Sequence, residues 1–550
     1  MPTISFSYKD FEKLLGRKIP MDEFKDLVLL YAKAEVEDYD SKTAEIKLAL
    51  DDTNLPYLWS VEGLARYFKG VFETEKGLTK FKVSSSKYDV IVDKSVEKVR
   101  PYIATFVASG KIDNYLLEQL IQFQEKFCEG YGRKRQKVSI GLYSSKKVKF
   151  PVHYKAAAPD SIKFVPLEMD KKILLSKVLE LHPKGKQYGW IIKDFSAYPI
   201  LVDSNNEVLS LVPIINSNFT GKLVVGDSEL LFEATGTDEE AVNLAANIFA
   251  QNLYERGFKL QSITVHYNNK KVKSPHSFNE KIKIRQADVE VLTGLKLTHA
   301  QTKDLLERAR YGVSDYTVSI PDYRKDILHV FDVIEDIAIM YGFNNIESAP
   351  LTNYTMGSPT KMNEFVDSVR EIVLGLGFQE ILSPILSNKA IIEEKMEVQD
   401  RGIVEISNPM SETYSAVRSW LTPIMMEVLS KNKHRDFPQK IFEQGLINVR
   451  KGQKIEDKEA IVLAISQTKT DFTEIKQCLD AIMNSLGVVS SVEPFDMGTF
   501  IKGRGGSIKV NGKAIGLIGE ISPKVLSNWE LEMPVTALEI DLSELKRIIS

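Results

Sequence analysis

Within residues 326–336 four carboxylates stand close together: Asp326, Asp332, Glu335 and Asp336. At about 100° per residue, a helix from about Ile327 to Tyr341 puts Asp332, Glu335 and Asp336 on one side. Val330, Phe331, Ile334, Ile337, Ala338 and Tyr341 fall on the other. Asp326 stands at the helix entrance, where the helix dipole favours a negative charge. Such a set of oxygen donors suits a hard cation. Magnesium fits best, because it takes few protein ligands and keeps its waters. The same pattern also describes the solvated acidic face of an amphipathic helix. Spacing alone leaves both readings open.

Basic clusters come next. Arg133-Lys134-Arg135-Gln136-Lys137 precedes a strand-like run and Lys146-Lys147-Val148-Lys149 follows it. They suit contact with an RNA backbone, where point charges supply affinity but not sequence reading, or simply a solvated loop. Lys431 to Arg435 follows a helix and places favourable charge at its C-terminus. None of the seven histidines pairs with another at metal spacing. The stretch from Gly506 to Lys513 has the wrong spacing for a phosphate loop, and Ala514 stands where Ser or Thr should hold magnesium. There is no G-x-S-x-G nucleophile elbow.

The elements that must carry these groups read as α+β throughout a chain of 550 residues, long enough for about three to five domains. Residues 1–85 mix short strands and helices. Residues 86–272 are richer in strands, with a long helix from Asp238 to Tyr254 capped by Thr237 or Asp238. Residues 273–347 run helix, helix, strand, helix, a winged-helix-like order. Residues 348–360 contain Pro350, Gly357 and Pro359 and read as a linker. Residues 361–550 are again α+β. There Asn363 is expected to cap one helix, Thr422-Pro423 to open another, and Asn511-Gly512 to turn a hairpin.

Composition sets further bounds. Hydrophobic residues make up 43% and charged residues 27%, as in a soluble globular protein. The net charge of −3 means that nucleic-acid contact must be local or shared with a partner. The two cysteines, Cys128 and Cys478, lie far apart and fit neither a disulfide framework nor a zinc ribbon, so a reducing compartment is expected. No secretory leader or bilayer-length apolar run is present. A cytoplasmic protein without membrane contact is the expectation.

Several segments resemble the β subunits of archaeal-type phenylalanyl-tRNA synthetases. Gly132-Arg133-Lys134-Arg135 through Tyr143, then 162–167, His182-Pro183-Lys184-Gly185, 212–217 and 233–238, resemble that family's editing module in order. Ile320-Pro321-Asp322-Tyr323-Arg324-Lys325-Asp326 through Gly342 resembles its winged-helix-like module. Ser407-Asn408-Pro409-Met410-Ser411, Arg418-Ser419-Trp420-Leu421-Thr422-Pro423 and Gly503-Arg504 followed by 516–523 resemble its class II synthetase-like module, an antiparallel-sheet unit. The resemblance spans nearly the whole chain and turns the balance for the carboxylates toward metal. By it, Asp326, Asp332, Glu335 and Asp336 match the family's magnesium ligands.

The resemblance implies an α₂β₂ assembly that charges tRNA(Phe). The α subunit binds ATP, phenylalanine and the tRNA acceptor end. The class II-like module of β lacks the catalytic residues, and no ATP-binding arginine pair is evident in 361–550. The editing module is expected to hydrolyse mischarged Tyr-tRNA(Phe). Asn216 and Asp238 are implied to line its pocket, with Thr235 and Thr237 nearby. An ordinary helix cap is an equal reading of Asp238. Phe219-Thr220 stands where the eukaryotic-type pattern often has His-Ser, a departure that removes a polar group. Ending at Ser550, the sequence lacks the extra C-terminal and inserted modules of bacterial-type β subunits. The competing readings are a stand-alone tRNA-binding or trans-editing scaffold and a complete single-chain synthetase.

Overall fold

The computed structural model describes residues 2–550. They form two compact units, residues 2–350 and 351–550. Among the described residues, no helix is long and apolar enough to cross a membrane.

The first unit is built on a ten-stranded sheet. Its centre is Lys259–His266, which pairs parallel with Val83–Val92 and antiparallel with Tyr102–Ser109. Outward on one side lie Glu229–Gly236 and then Val138–Ser144. On the other side Val152–Ala157, Tyr198–Val202 and Val208–Leu211 continue the sheet. Helices Asn114–Glu129 and Glu239–Glu255 supply Phe123 and Phe249 to the same apolar core as Phe106 and Phe232. Because the inner strands are buried on both faces, their sequences read as apolar runs and not as alternation. Helix Asn114–Glu129 has no counterpart in the sequence reading, which took this region as strand-rich.

A three-stranded sheet and three helices from residues 3–71 join this core, as does the module carrying the carboxylates. That module runs strand (Lys281–Lys283), helix (Gln286–Thr293), helix (His299–Arg308), hairpin (Gly312–Ser314, Thr317–Ser319), helix (Val330–Tyr341). The extra strands, three residues each, are too short for alternation to announce them. The segments read as 1–85, 86–272 and 273–347 thus share one core, from Ile4 to Met340.

Residues 348–360 carry no helix or strand. The second unit is a seven-stranded, mainly antiparallel sheet with helices on both faces. Strand Lys454–Ser466 shows how: Ile461, Leu463 and Ile465 enter one core, Val462 and Ala464 the other. Asn511 and Gly512 have φ of 48° and 75°, as a two-residue hairpin turn requires.

Two helix starts differ from expectation. Thr360, not Asn363, caps Lys361–Gly375, its Oγ1 accepting from Asn363 N–H at 3.1 Å. Thr422 is not a cap but the first helical residue of Thr422–Lys431. The cap comes from across the sheet. The buried Glu539 carboxylate accepts from Leu421 N–H and Thr422 N–H, both at 2.8 Å, and from the Thr422 hydroxyl at 2.6 Å. A local pattern cannot reveal a cap so distant in sequence. Replacing Glu539→Ala strands these donors in the core. The expected loss is about 2–3 kcal/mol for the 351–550 unit, read from denaturant unfolding.

Candidate functional site

A cavity of about 370 Å³ opens beside the sheet of the first unit. Its apolar walls come from Leu117 and Ile121 of helix Asn114–Glu129, Ile140 and Leu142 of strand Val138–Ser144, and the stretch 211–215. Into this lining project a few polar groups: Glu233, Ser139, Asn216, His182 and Arg135.

Glu233 lies mid-strand and is almost wholly buried. Its Oε2 accepts from the Tyr143 hydroxyl at 2.8 Å, and its Oε1 has no hydrogen-bond partner. Burial pushes its carboxyl up from 4.5 to about 7, against the pull of the Tyr143 hydrogen bond and the charge of Arg100. At neutral pH this group is poised between acid and carboxylate. The sequence reading missed it. The one available signal was a carboxylate inside the apolar run Leu230-Leu231-Phe232-Glu233-Ala234.

His182 is the imidazole in this cavity, and both its nitrogens are committed. Nδ1 accepts from Lys184 N–H at 3.1 Å, which leaves Nε2 to donate to the Leu167 carbonyl at 3.1 Å. Arg135 projects from a turn in which Arg133, Lys134 and Arg135 have φ of 49°, 53° and 67°. Its guanidinium donates to the carbonyls of Pro213 and Ile214 and lies 4.2 Å from the Tyr188 ring centroid. It therefore ties the helix end at 128–130 to the cavity wall.

Of the expected pocket residues, Asn216 lines the cavity, its Nδ2 donating to the Leu142 carbonyl at 3.2 Å. Thr235, Thr237 and Asp238 do not. The fully buried Thr235 holds Arg100, accepting from its Nε at 3.1 Å. Thr237 is exposed and donates to the Gln136 carbonyl at 3.4 Å. Asp238 caps helix Glu239–Glu255, accepting from Ala241 N–H at 2.9 Å, and pairs with Lys137 at 3.2 Å. Partial burial opposes ionisation of Asp238, but these two partners hold its carboxyl below the usual range. Alternation along the strand does not explain the difference. Glu233 and Thr235 share a face, yet Thr235 sits over Arg100.

A second cavity, of about 220 Å³, is lined by all four carboxylates of 326–336, together with Asp52, Lys33 and Arg324. Asp326 pairs with Arg324. Asp336 accepts from Arg324 at 2.7 Å and from the Tyr311 hydroxyl at 2.6 Å. Burial outweighs these partners and raises the Asp336 carboxyl. Asp332 accepts from Leu328 and His329 N–H, each at 2.7 Å, and so caps its own helix. Glu335 meets Lys33 at 2.9 Å, and the same ammonium reaches Asp52 at 3.1 Å. The helix faces also depart from expectation. Arg324 draws Asp336 inward, whereas Phe331 is 52% exposed.

Among the described residues, no three Asp, Glu, His or Cys side chains converge as a ready metal shell. The donor set is nevertheless all oxygen. The Lys33 ammonium, bridging two carboxylates, is a stand-in cation in this cavity. On those two grounds the residues fit a hard cation. Arg324 and Lys33 are groups that the spacing of the carboxylates gave no reason to seek.

The family model described as "Phenylalanyl tRNA synthetase beta chain CLM domain" matches residues 347–542, and that of the "tRNA synthetase B5 domain" matches 282–343. The phenylalanine–tRNA ligase beta subunit of Pyrococcus horikoshii is 40% identical over 557 aligned residues, covering 100% of both chains. That of Borrelia garinii is 33% identical over 99% of each. The crystal structure of an N-terminal fragment of the Pyrococcus horikoshii phenylalanyl-tRNA synthetase beta subunit superposes with a TM-score of 0.60. It is 38% identical, covering 62% of this chain and 99% of that one. Matched end to end at such identity, this chain belongs to the family of phenylalanine–tRNA ligase β subunits.

Proposed function

We propose that this chain is the proofreading and docking subunit of an α₂β₂ phenylalanine–tRNA ligase in the cytoplasm. The α subunit binds ATP, phenylalanine and the acceptor end of tRNA(Phe) and carries out charging. This chain supports that reaction and hydrolyses mischarged Tyr-tRNA(Phe). The observation that carries the reading is the buried, unpartnered Glu233 oxygen in a cavity with largely apolar walls.

An apolar pocket that takes phenylalanine cannot strongly reject the same ring with an added hydroxyl. A second pocket in which one oxygen of a buried carboxyl lacks a partner has the opposite preference. The tyrosine hydroxyl can satisfy that oxygen, and phenylalanine leaves it unpaired. Ser139 and Asn216 add polar contacts near the ester. His182 is not placed to deprotonate water, since both its nitrogens are engaged. The residues of the cavity therefore select and orient the aminoacyl ester.

Two features of the second unit support a non-charging role. Arg418 is buried and spent internally, on Glu443 at 2.5 Å, Ser383 Oγ at 3.0 Å and the Leu446 carbonyl at 2.9 Å. It is not free for a nucleotide. Leu382, Leu386, Met410 and Tyr414 are exposed and suit docking of the α subunit. In the carboxylate cavity, Asp326, Asp332, Glu335 and Asp336 would hold magnesium. When bound, the ion supplies positive charge that ties the start of the module's last helix to its neighbours. Asp332 and Glu335, which are not paired with Arg324, are the first donors available to it.

The test uses the chain co-expressed with a family α subunit. The complex is expected to charge tRNA(Phe) and to deacylate Tyr-tRNA(Phe), while Glu233→Gln lowers the Tyr-over-Phe hydrolysis ratio about tenfold or more. An unchanged ratio removes Glu233 from the site, and no deacylation by the wild-type complex defeats the reading.

Glu233 also leaves a pH signature. Its native value lies above the unfolded one, so between pH 4.5 and about 7 the native state keeps a proton that the unfolded chain has released. That stabilisation is full below 4.5 and lost as pH rises through 7. Glu233→Gln should cut the fall in unfolding free energy across this window by roughly 3 kcal/mol.

Magnesium should raise the melting temperature of the full chain saturably, by a few degrees. Glu335→Gln and the pair Asp332→Ala with Asp336→Ala should abolish that increment. An equal increment in wild type and variants would return these carboxylates to capping and packing roles.

A further inference from the structure

Phe219 is a large apolar side chain on the segment bordering the first cavity, yet it is 54% exposed. It sits at the tip of the turn 217–221, and that turn is firmly held. The Oγ atoms of Ser217 and Thr220 lie 2.8 Å apart, and both residues are buried. Gly221 N–H donates to the Ser217 carbonyl and Ser144 N–H to the Thr220 carbonyl, each at 3.0 Å. The residues around the tip, Asn216, Asn218, Gly221 and Lys222, all line the cavity. The backbone that carries the ring is thus held between residues that line the cavity.

Its surroundings are basic. The Lys147 ammonium stands 5.7 Å from the ring centroid, within cation–π range. Lys146 is held nearby through Ser228 Oγ at 2.8 Å, and Lys222 is part of the lining. An exposed aromatic among lysines is the arrangement that binds single-stranded nucleic acid, base on ring and phosphate on ammonium. The substrate's own chemistry adds a distance constraint. The ester that enters the cavity and the last nucleobase hang from one ribose. When the aminoacyl group is inside, that base must lie at the mouth.

We propose that Phe219 is the stacking platform for the 3′-terminal nucleobase of the aminoacyl-tRNA, with Lys147 and Lys222 meeting the adjoining phosphates. This rests on the proofreading reading and adds to it a residue that positions the substrate. Stacking on a planar face is equal in ground state and transition state, so it acts on KM and not on kcat.

The experiment uses the complex with its α subunit. Phe219→Ala should raise KM for Tyr-tRNA(Phe) deacylation about tenfold with kcat little changed, and Phe219→Trp should restore it. In parallel, binding is measured for an RNA hairpin with a single-stranded CCA end and for the same hairpin lacking only its last nucleobase. Wild type should prefer the complete end about tenfold, and Phe219→Ala should bind both alike. An unchanged KM in Phe219→Ala overturns the proposal. So does a binding loss of equal size for both hairpins, which would mean a contact other than stacking. If the wild-type complex failed to deacylate Tyr-tRNA(Phe), the proofreading reading would fall, whereas the hairpin comparison would still decide for or against stacking.

Discussion

An ionisable group without water must find a partner or give up its charge. Glu233 does half of each. One oxygen is satisfied by Tyr143 and the other by nothing. Much of the first unit serves to keep it so. Strand Glu229–Gly236 is sandwiched between two neighbours, helices Asn114–Glu129 and Glu239–Glu255 supply the packing, and the left-handed turn at 133–135 pins the wall. Arg100, equally buried, stays on the far side of Thr235 and is not paired with any carboxylate among the described residues. A full ion pair between the two would satisfy both and leave nothing for a ligand to complete.

Several other largely buried arginines are paired with carboxylates. Arg324 spans Asp326 and Asp336, Arg256 spans Asp10 and Glu62, and Arg418 meets Glu443. Such sets give modest net stability, but removing one member strands the rest. Arg256 joins the first 85 residues to the end of helix Glu239–Glu255, and Lys33–Glu335 and Arg310–Glu75 join them to the carboxylate-bearing module. In the second unit Glu539 does the same for a helix start.

What the sequence made legible follows from range. The carboxylates at 326–336 lie within one helix and its approach, so their grouping is local, and the cavity does gather them. The Asn-Gly hairpin and the Asp238 cap are local too. By contrast, Lys33 and Glu335 are 302 residues apart, and no spacing rule joins them. Thr235 matched a family motif, but its hydroxyl is taken by Arg100, from the loop that precedes the adjacent strand. Glu233 was hidden because a strand buried on both faces shows no alternation from which a polar residue would stand out. Helix Asn114–Glu129, whose residues form a wall of the cavity, was legible: Leu116, Leu120, Phe123 and Phe127 recur at helical spacing.

The two cations of the carboxylate cavity differ in how far solvent reaches them. The Lys33 side chain is 41% exposed and that of Arg324 only 4%. Exposed charges farther apart than about 8 Å are largely screened at physiological ionic strength, exposed contact pairs weaken as salt rises further, and buried pairs are screened much less. Salt therefore loosens one wall of this cavity and spares the other. Ionic strength becomes a selective lever on the bridge from the N-terminal residues to the last helix of the module, independent of any ligand.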